Sequence, residues 1–556
     1  MPARSRIPAT VVASRLSFDR GARTVLRDVS LTVAPTSCIG VVGPNGVGKS
    51  TLLRLLAGWE QPDAGTVRLD PPGATVGYLA QEHEHRPGET VGAALVRRTG
   101  VAAAEAELAA SGEALGRGEP GAEDRFALAL ERYDGLSAGD IDARIAGTVA
   151  DLGLPAGVVD QETATLSGGQ AARMALAAIV LSRFDVTLLD EPTNDLDFDG
   201  LERLEAVVTE RSGGMVVVSH DRAFLDATVT SVVEIDEHDH SARLFGGGWS
   251  AYLEERSTAR RHAEETYAVH QARRRELMDR ARRERQWATS AVRRERRDQR
   301  DNDKAQRDFR INRTEKLASR ARQTERAVER LGVVEKPWEG WDLRFTIDEA
   351  PRAGAVVARL DGAVVARGRF RMGPIDLEIG WAERIGLVGP NGSGKTSLVE
   401  ALLGRLPLAA GTARLGPGVV VGELGQDRSA TPEGAADERS VLDRVIDRCG
   451  LTVPEARSLL AKFGLGPEHL SRSRALLSPG ERTRAELAMF QARRVNFLVL
   501  DEPTNHLDVP AVEQIEEALS GFGGTVLLVS HDRRLLDAVD LTRRIDLAEH
   551  VPGRSP

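Results

Sequence analysis

The chain has 556 residues, 41% of them apolar and 28% charged, a globular composition long enough for two to four domains. Its net charge of −9 is segregated: residues 271–330 carry 21 Arg and Lys against 11 Asp and Glu, a local +10 that leaves −19 for the rest. No apolar run reaches the length of a spanning helix, residues 1–18 lack a signal-peptide core, and two cysteines, Cys38 and Cys449, make neither a disulfide framework nor a metal site. A cytoplasmic location is therefore expected.

Along the chain, the first informative stretch is CIGVVGPNGVGKSTLLRLLAG at 38–58. An apolar strand runs into Gly43–Ser50, which fits G-x-x-x-x-G-K-[ST], and then into an amphipathic helix, the context this phosphate-binding loop requires. Glycines let backbone N–H groups turn inward around phosphates, and the helix N-terminus adds partial positive charge. Lys49 is expected to reach the β- and γ-phosphates and Ser50 to hold Mg²⁺. LSGGQAARMALA follows at 166–177, VTLLDEPTNDLD at 186–197 and VVVSHDRAFLD at 216–226. Asp190, ending an apolar strand, would sit behind the metal. Glu191, next in the chain, would orient and polarise the attacking water, help worth about 10²–10⁴ in rate. His220 ends another apolar run and is expected at the same sheet edge.

Beyond residue 250 the pattern becomes helical and charged. Residues 252 to about 287 contain no Gly or Pro, and a second helix is expected over 305–331. Leu317, Ala321, Thr324, Val328 and Leu331 give that second helix a 4-3-4-3 seam. The first has a poorer seam of Ala263, Tyr267, His270, Leu277 and Ala281, interrupted by Arg274. An antiparallel hairpin of such helices would project about 40–54 Å. The sequence RRERRDQRDNDKAQRDFRINR, 293–313, is expected at and just after its turn.

Every element of the first part then returns. RIGLVGPNGSGKTSLVEALLG occupies 384–404, with Lys395 and Thr396 as its lysine and metal-binding hydroxyl. LSPGERTRAELA lies at 477–488, FLVLDEPTNHLD at 497–508 and LLVSHDRRLLD at 527–537, giving Asp501, Glu502 and His531 the roles assigned above. Ser167 to Glu191 and Ser478 to Glu502 are both 24 residues; Glu191 to His220 and Glu502 to His531 are both 29. Order and spacing together argue for two copies of one α/β fold with buried, mostly parallel sheets.

These motifs resemble the nucleotide-binding domain of the ABC ATPase superfamily, LSGGQ being its signature. Tandem domains joined by a charged helical linker, with no membrane span, resemble its ABC-F class over nearly the whole chain. The resemblance implies two P-loop domains at 1–250 and 341–556 joined by a basic helical hairpin at 251–340, with ATP and Mg²⁺ as cofactors. It implies a monomer whose halves pair, the signature of one copy capping the phosphate site of the other. The ATP-binding loops would comprise Gly43, Pro44, Asn45, Gly46, Val47, Gly48, Lys49, Ser50 and Thr51, and Gly389, Pro390, Asn391, Gly392, Ser393, Gly394, Lys395, Thr396 and Ser397. The signatures would act through Ser167, Gly168, Gly169 and Gln170, and through Ser478, Gly480 and Glu481. Gln81 and Gln426, 32 and 31 residues after their lysines, match the family's metal-contacting glutamine beside Ser50, Asp190, Thr396 and Asp501.

Two departures stand out. LSPGE places Pro479 and a carboxylate, Glu481, in the second signature. Proline is tolerated in a helix's first turn, so the motif is expected to form and to make the Lys49 site unlike its twin. The adenine-stacking aromatic is not evident: Phe18 or Arg20 lies near its position in the first copy and Ala366 in the second.

Arg293, Arg294, Arg296, Arg297, Arg300, Lys304, Arg307, Arg310 and Arg313 suit phosphate-backbone contact, with Trp287 and Phe309 beside them. A solvated helical face is the alternative, and Asp298, Asp301 and Asp303 favour it. The ABC-F resemblance implies large-subunit ribosomal RNA and transfer RNA as partners, in translation or in protection from ribosome-targeting antibiotics. Two other readings compete. In the motor half of a membrane exporter the basic linker has no task. For a DNA-repair ATPase, 25 residues after His531 are too few for the C-terminal coiled coil some relatives use on DNA. Gln81 to Ser167 spans 86 residues against 52 in the second copy, expected to form an enlarged helical subdomain rather than a separate arm.

Overall fold

The computed structural model describes residues 8–21, 23–80, 86–211, 213–297, 351–368, 370–425, 439–505 and 507–550, with Ser319, Gln323, Arg326, Arg330 and Leu331 between them. Contacts divide the chain into one unit of residues 1–252 and 343–556 and another of 253–342.

Within the larger unit, the short runs read as doubly covered strands are buried along their full length: Cys38–Val42, Val186–Asp190 and Gly214–Val218. They sit in a six-stranded sheet ordered Val76–Leu79, Val186–Asp190, Gly214–Val218, Cys38–Val42, Ser231–Ile235, Ala242–Gly246. All pairings are parallel except the last. A three-stranded antiparallel sheet, Arg23–Val33, Thr10–Arg20 and Ala64–Asp70, lies across it. Leu16, Leu26 and Val29 of that sheet meet Leu52, Leu53 and Leu56 of the helix Lys49–Leu56 and Val41, Leu188 and Val216 of the parallel sheet in one core. The helix after the glycine loop is thus clamped between two sheets, which fixes where the loop points.

The second copy repeats the plan. Its parallel sheet runs Val421–Gly425, Phe497–Asp501, Thr525–Val529, Arg384–Val388, Arg543–Asp546, with Phe370–Gly380, Val356–Arg367 and Ala410–Leu415 antiparallel beside it. The longer glutamine-to-signature segment of the first copy supplies two helices, Val101–Gly116 and Ala122–Gly135, that pack on one another through Ala104, Ser111, Ala114, Ala122 and Ala129. Arg132 bridges Glu107 across them at 3.0 Å, while Leu115, Leu128 and Leu130 stay exposed.

The linker helix starts earlier and ends later than its composition predicts: it spans Gly248–Arg297. Trp249 and Tyr252, buried and 5.1 Å apart between ring centroids, begin it against Phe245. These aromatics, rather than the loss of Gly and Pro, set its start. Its far end carries Arg293, Arg294, Arg296 and Arg297 on helical backbone, so that part of the run precedes any turn. In the second unit Tyr267, His270, Leu277 and Ala281 are half-buried and Arg274 is exposed, as the seam requires. Ion pairs one turn apart, Arg260–Glu264 and Arg280–Glu284, run along its sides. Ser319, Gln323, Arg326 and Arg330 are helical. Arg300, Lys304, Arg307, Arg310 and Arg313, with Leu317, Ala321, Thr324 and Val328, lie outside the described residues. No helix among the described residues is long and apolar enough to cross a membrane.

Candidate functional site: two phosphate loops facing two signatures

Both glycine loops take the conformation their sequence demands. Gly43, Gly46 and Gly48 have φ of 149°, 78° and 118°, and Gly389, Gly392 and Gly394 have 145°, 78° and 95°. A Cβ at Gly43 would meet the Ile235 carbonyl at 2.8 Å, so glycine is required there by space as well as backbone. Pro44, Asn45 and Val47, and Pro390, Asn391 and Ser393, fill the loops between them. Lys49 and Lys395 open their helices and are almost fully buried. Lys49 Nζ donates to the Gly43 and Pro44 carbonyls at 2.7 and 3.2 Å. Burial pulls both ammonium groups below their usual pKa, and neighbouring carboxylates oppose it. Thr51 and Ser397 are buried one turn into these helices.

The Tyr78 hydroxyl donates to Asp190 at 2.8 Å, and the Ser50 and Thr396 hydroxyls favour the charged forms of Asp190 and Asp501. Burial pushes both carboxylates above their usual pKa. Asp190 Oδ1, Glu191 Oε2 and Glu502 Oε1 are buried without a hydrogen-bond partner among the described residues. Such oxygens are costly unless something satisfies them, and a divalent cation and its water would fit that donor set. Gln81 and Gln426 lie outside the described residues.

Glu191 and Glu502 have φ of 51° and 48°, a left-handed backbone rarely used by this side chain, forced where each chain leaves its sheet. Their histidines differ. His220 Nε2 donates to Glu191 at 3.0 Å. Burial raises Glu191, but His220 and Lys49 outweigh it and hold the carboxyl below its usual range. In the second copy Lys395 Nζ lies 2.8 Å from His531 Nε2, which stands farther from Glu502, 3.5 Å from Oε1, while the His531 backbone N–H donates to Glu502 Oε2 at 3.3 Å. Burial drives Glu502 up to about 8 and, with Lys395, drives His531 down to about 4. Repeated motifs gave the two histidines one role; their partners distinguish them.

The two copies close on each other with swapped, equivalent contacts. Asp197 Oδ1 caps the helix Phe198–Glu210 at Gly200 N, 3.1 Å, while Oδ2 accepts Asn391 N of the other loop at 3.0 Å. Asp508 Oδ1 caps Val509–Ser520 at Ala511 N, 3.1 Å, and Oδ2 accepts Asn45 N at 3.2 Å. These aspartates end the repeated TNDLD and TNHLD, whose sequence names no task for them. A cap that must also serve a second chain segment has no sequence signature of its own. Behind them, Arg222 forms a bidentate pair with Glu516, and Arg533 reaches Glu205 at 3.1 Å. Glu205 and Glu516 each stand eight residues after their aspartate, and each arginine two residues after its histidine.

The first signature meets the second loop: a Cβ on Gly169 would lie 2.9 Å from Asn391 Cβ. Gly168, Gly169, Asn391, Gly392, Glu502 and His531 line one cavity of about 290 Å³ between the copies. Ser167 caps the helix Gly168–Leu181, and Gln170 returns its side chain to Ser167 N at 3.0 Å. Ser478 caps Pro479–Ala492 in the same way, with Pro479 in the first turn as expected and Glu481 on Ser478 N at 2.7 Å. Gly480 sits between them. Beside the second loop, Phe370 and Arg367 line the phosphate cavity, and a Cβ on Gly394 would strike the Phe370 ring. Phe370 starts the strand after the one holding Ala366. Phe18 packs against the first core instead.

Comparison with known proteins agrees with this geometry. The ABC transporter family model matches residues 26–194 and 372–505. The tylosin resistance ATP-binding protein TlrC of Streptomyces fradiae is 39% identical over 92% of this chain and 93% of its own length. The energy-dependent translational throttle protein EttA of Mycobacterium tuberculosis is 31% identical over 93% and 88%, and ABC transporter F family member 2 of Arabidopsis thaliana 30% over 96% and 76%. Among solved structures, RNase-L Inhibitor shares the fold at TM-score 0.54 and 20% identity, covering 96% of this chain and 87% of that one. Two phosphate loops, two signatures and these relatives place the chain in the ABC ATPase superfamily, and it belongs to the ABC-F class as a tandem-domain ATPase.

Proposed function

We propose that this ATPase binds the ribosome in its ATP-closed form and there modulates translation or protects against a ribosome-targeting antibiotic. The observation that carries the reading is the swapped closure of the two copies, each aspartate joining its own helix cap to the other copy's phosphate loop. Similarity along nearly the full length to a tylosin resistance protein and a translational throttle supports the target. The cytoplasm is the corresponding site of action.

Each ATP lies between one loop and the opposite signature: Lys49 with Ser478, and Lys395 with Ser167. Bound Mg²⁺, held by Ser50, Asp190 and Gln81 or by Thr396, Asp501 and Gln426, would neutralise phosphate charge. Glu191 and Glu502 orient the attacking water, and His220 and His531 hold those carboxylates and the phosphate end of the site in place. The linker's basic run supplies phosphate contacts to large-subunit RNA or transfer RNA.

Cell-free translation, with and without tylosin, tests the proposal. Added protein should change the rate of synthesis or restore it in the presence of drug, in an ATP-dependent way. No effect under either condition refutes it.

A further inference from the structure

The second signature carries a carboxylate where the first carries an amide, on a loop meant to receive a triphosphate. An uncompensated Glu481 would repel that ligand at close range. Its environment answers this. Glu481 Oε2 accepts Ser478 N at 2.7 Å, and Oε1 lies 3.0 Å from His469 Nε2. Both side chains are 16% exposed. His469 stands nine residues before Ser478; the residue nine before Ser167 is Val158, fully buried. The repeat therefore pairs amide with valine in one copy and carboxylate with imidazole in the other.

His469 Nδ1 accepts from Gly466 N at 3.1 Å, which leaves the ring's proton on Nε2, 3.0 Å from Glu481 Oε1. The Glu468 carboxylate lies 3.1 Å from the same Nδ1. Arg484 also acts on Glu481 electrostatically, but it makes no ion pair with it among the described residues and is drawn to Asp508 as well. Against burial, the Ser478 N–H and His469, with the Ser478 hydroxyl and Arg484, hold Glu481 below its usual pKa.

We infer that His469 is a positioning residue for ATP hydrolysis: it holds the Glu481 carboxylate back on the Ser478 amide, so that the second signature presents Ser478 to the phosphates without presenting a negative charge. This rests on the pairing of Ser478 with the Lys49 site proposed above.

The test is a cycle in a Glu502→Gln background, where hydrolysis reports the Lys49 site. His469→Val should slow single-turnover hydrolysis roughly tenfold, because it strips the partner from Glu481 Oε1. Adding Glu481→Gln should return the rate to that of Glu481→Gln alone, a rescue that mere loss of packing would not give. An unchanged rate in His469→Val, or no rescue in the double variant, overturns the inference. If the valine variant does not fold, His469→Gln, which keeps an N–H donor, should retain the rate and His469→Ala should lose it. The same result for both overturns the inference. Ser478→Ala in the Glu191→Gln and Glu502→Gln backgrounds separates the two readings: loss confined to the Glu191→Gln background would mean that the pairing itself is wrong.

Discussion

Replacing Arg222 with Met removes one end of an ion pair that joins the first copy's histidine loop to the second copy's helix Val509–Ser520. Side-chain exposure is 8% for Arg222 and 17% for Glu516, and the guanidinium engages both carboxylate oxygens. Truncating one partner of such a pair leaves the other buried and unpaired, at a cost of about 2–5 kcal/mol. Each 1.4 kcal/mol is a factor of ten, so the closed population should fall by roughly 30-fold or more. Arg534–Asp226, at 32% and 41% exposure, joins the helices Arg533–Ala538 and Arg222–Thr228 across the same interface but is solvent-screened, and should contribute under about 1 kcal/mol. The assay is energy transfer between dyes on the two nucleotide-binding domains during ATP titration, with all variants in a Glu191→Gln, Glu502→Gln background. A cycle of Arg222→Met, Glu516→Gln and both should give a coupling of at least about 1.5 kcal/mol. Coupling below about 0.5 kcal/mol would show that the pair does not act as a latch, and would refute the reasoning.

Two further outcomes follow from the same interface. Gly169→Ala places a Cβ 2.9 Å from Asn391 Cβ, so it should disfavour closure by about 1–3 kcal/mol, read as weaker ATP-dependent energy transfer; unchanged closure would contradict the signature-to-loop contact. Asp532 is raised from its usual 3.8 to about 6 by burial, with Asp221 adding to the effect and the Leu535 amide and Arg222 opposing it. Protonation therefore favours the folded form: the contribution is full below about pH 4 and is lost as pH rises through about 6. Relative to Asp532→Asn, the wild-type protein should lose up to about 3 kcal/mol between pH 4 and pH 7 in denaturant melts; parallel pH profiles would contradict this.

What could be read from the sequence was whatever is local in the chain. Glycine loops, strand-ending acids, helix-capping serines and their repeat spacing are each encoded within a dozen residues, and they appear where the motifs put them. Pro479 illustrates this: its tolerance in a first turn follows from local backbone chemistry alone. The meeting of remote segments was legible only in outline, through the family resemblance, and its individual contacts were not. Arg222 and Glu516 are 294 residues apart, and Asn391 and Asp197 are 194 apart. Nothing in SHDR or TNDLD names the partner. The same holds for His531, whose motif matches that of His220 while its ring sits closer to a lysine than to its glutamate. The linker helix outran its composition-based limits because Trp249 and Tyr252 begin it from the domain side.

The most direct test of the account is ribosome co-sedimentation of the Glu191→Gln, Glu502→Gln variant with ATP, with ADP and without nucleotide. The variant should pellet with ribosomes in ATP alone and lose that binding when Arg293, Arg294, Arg296 and Arg297 are neutralised. Pelleting that ignores nucleotide, or none in any condition, would contradict the claim that ATP-driven closure of the two copies creates a ribosome-binding form.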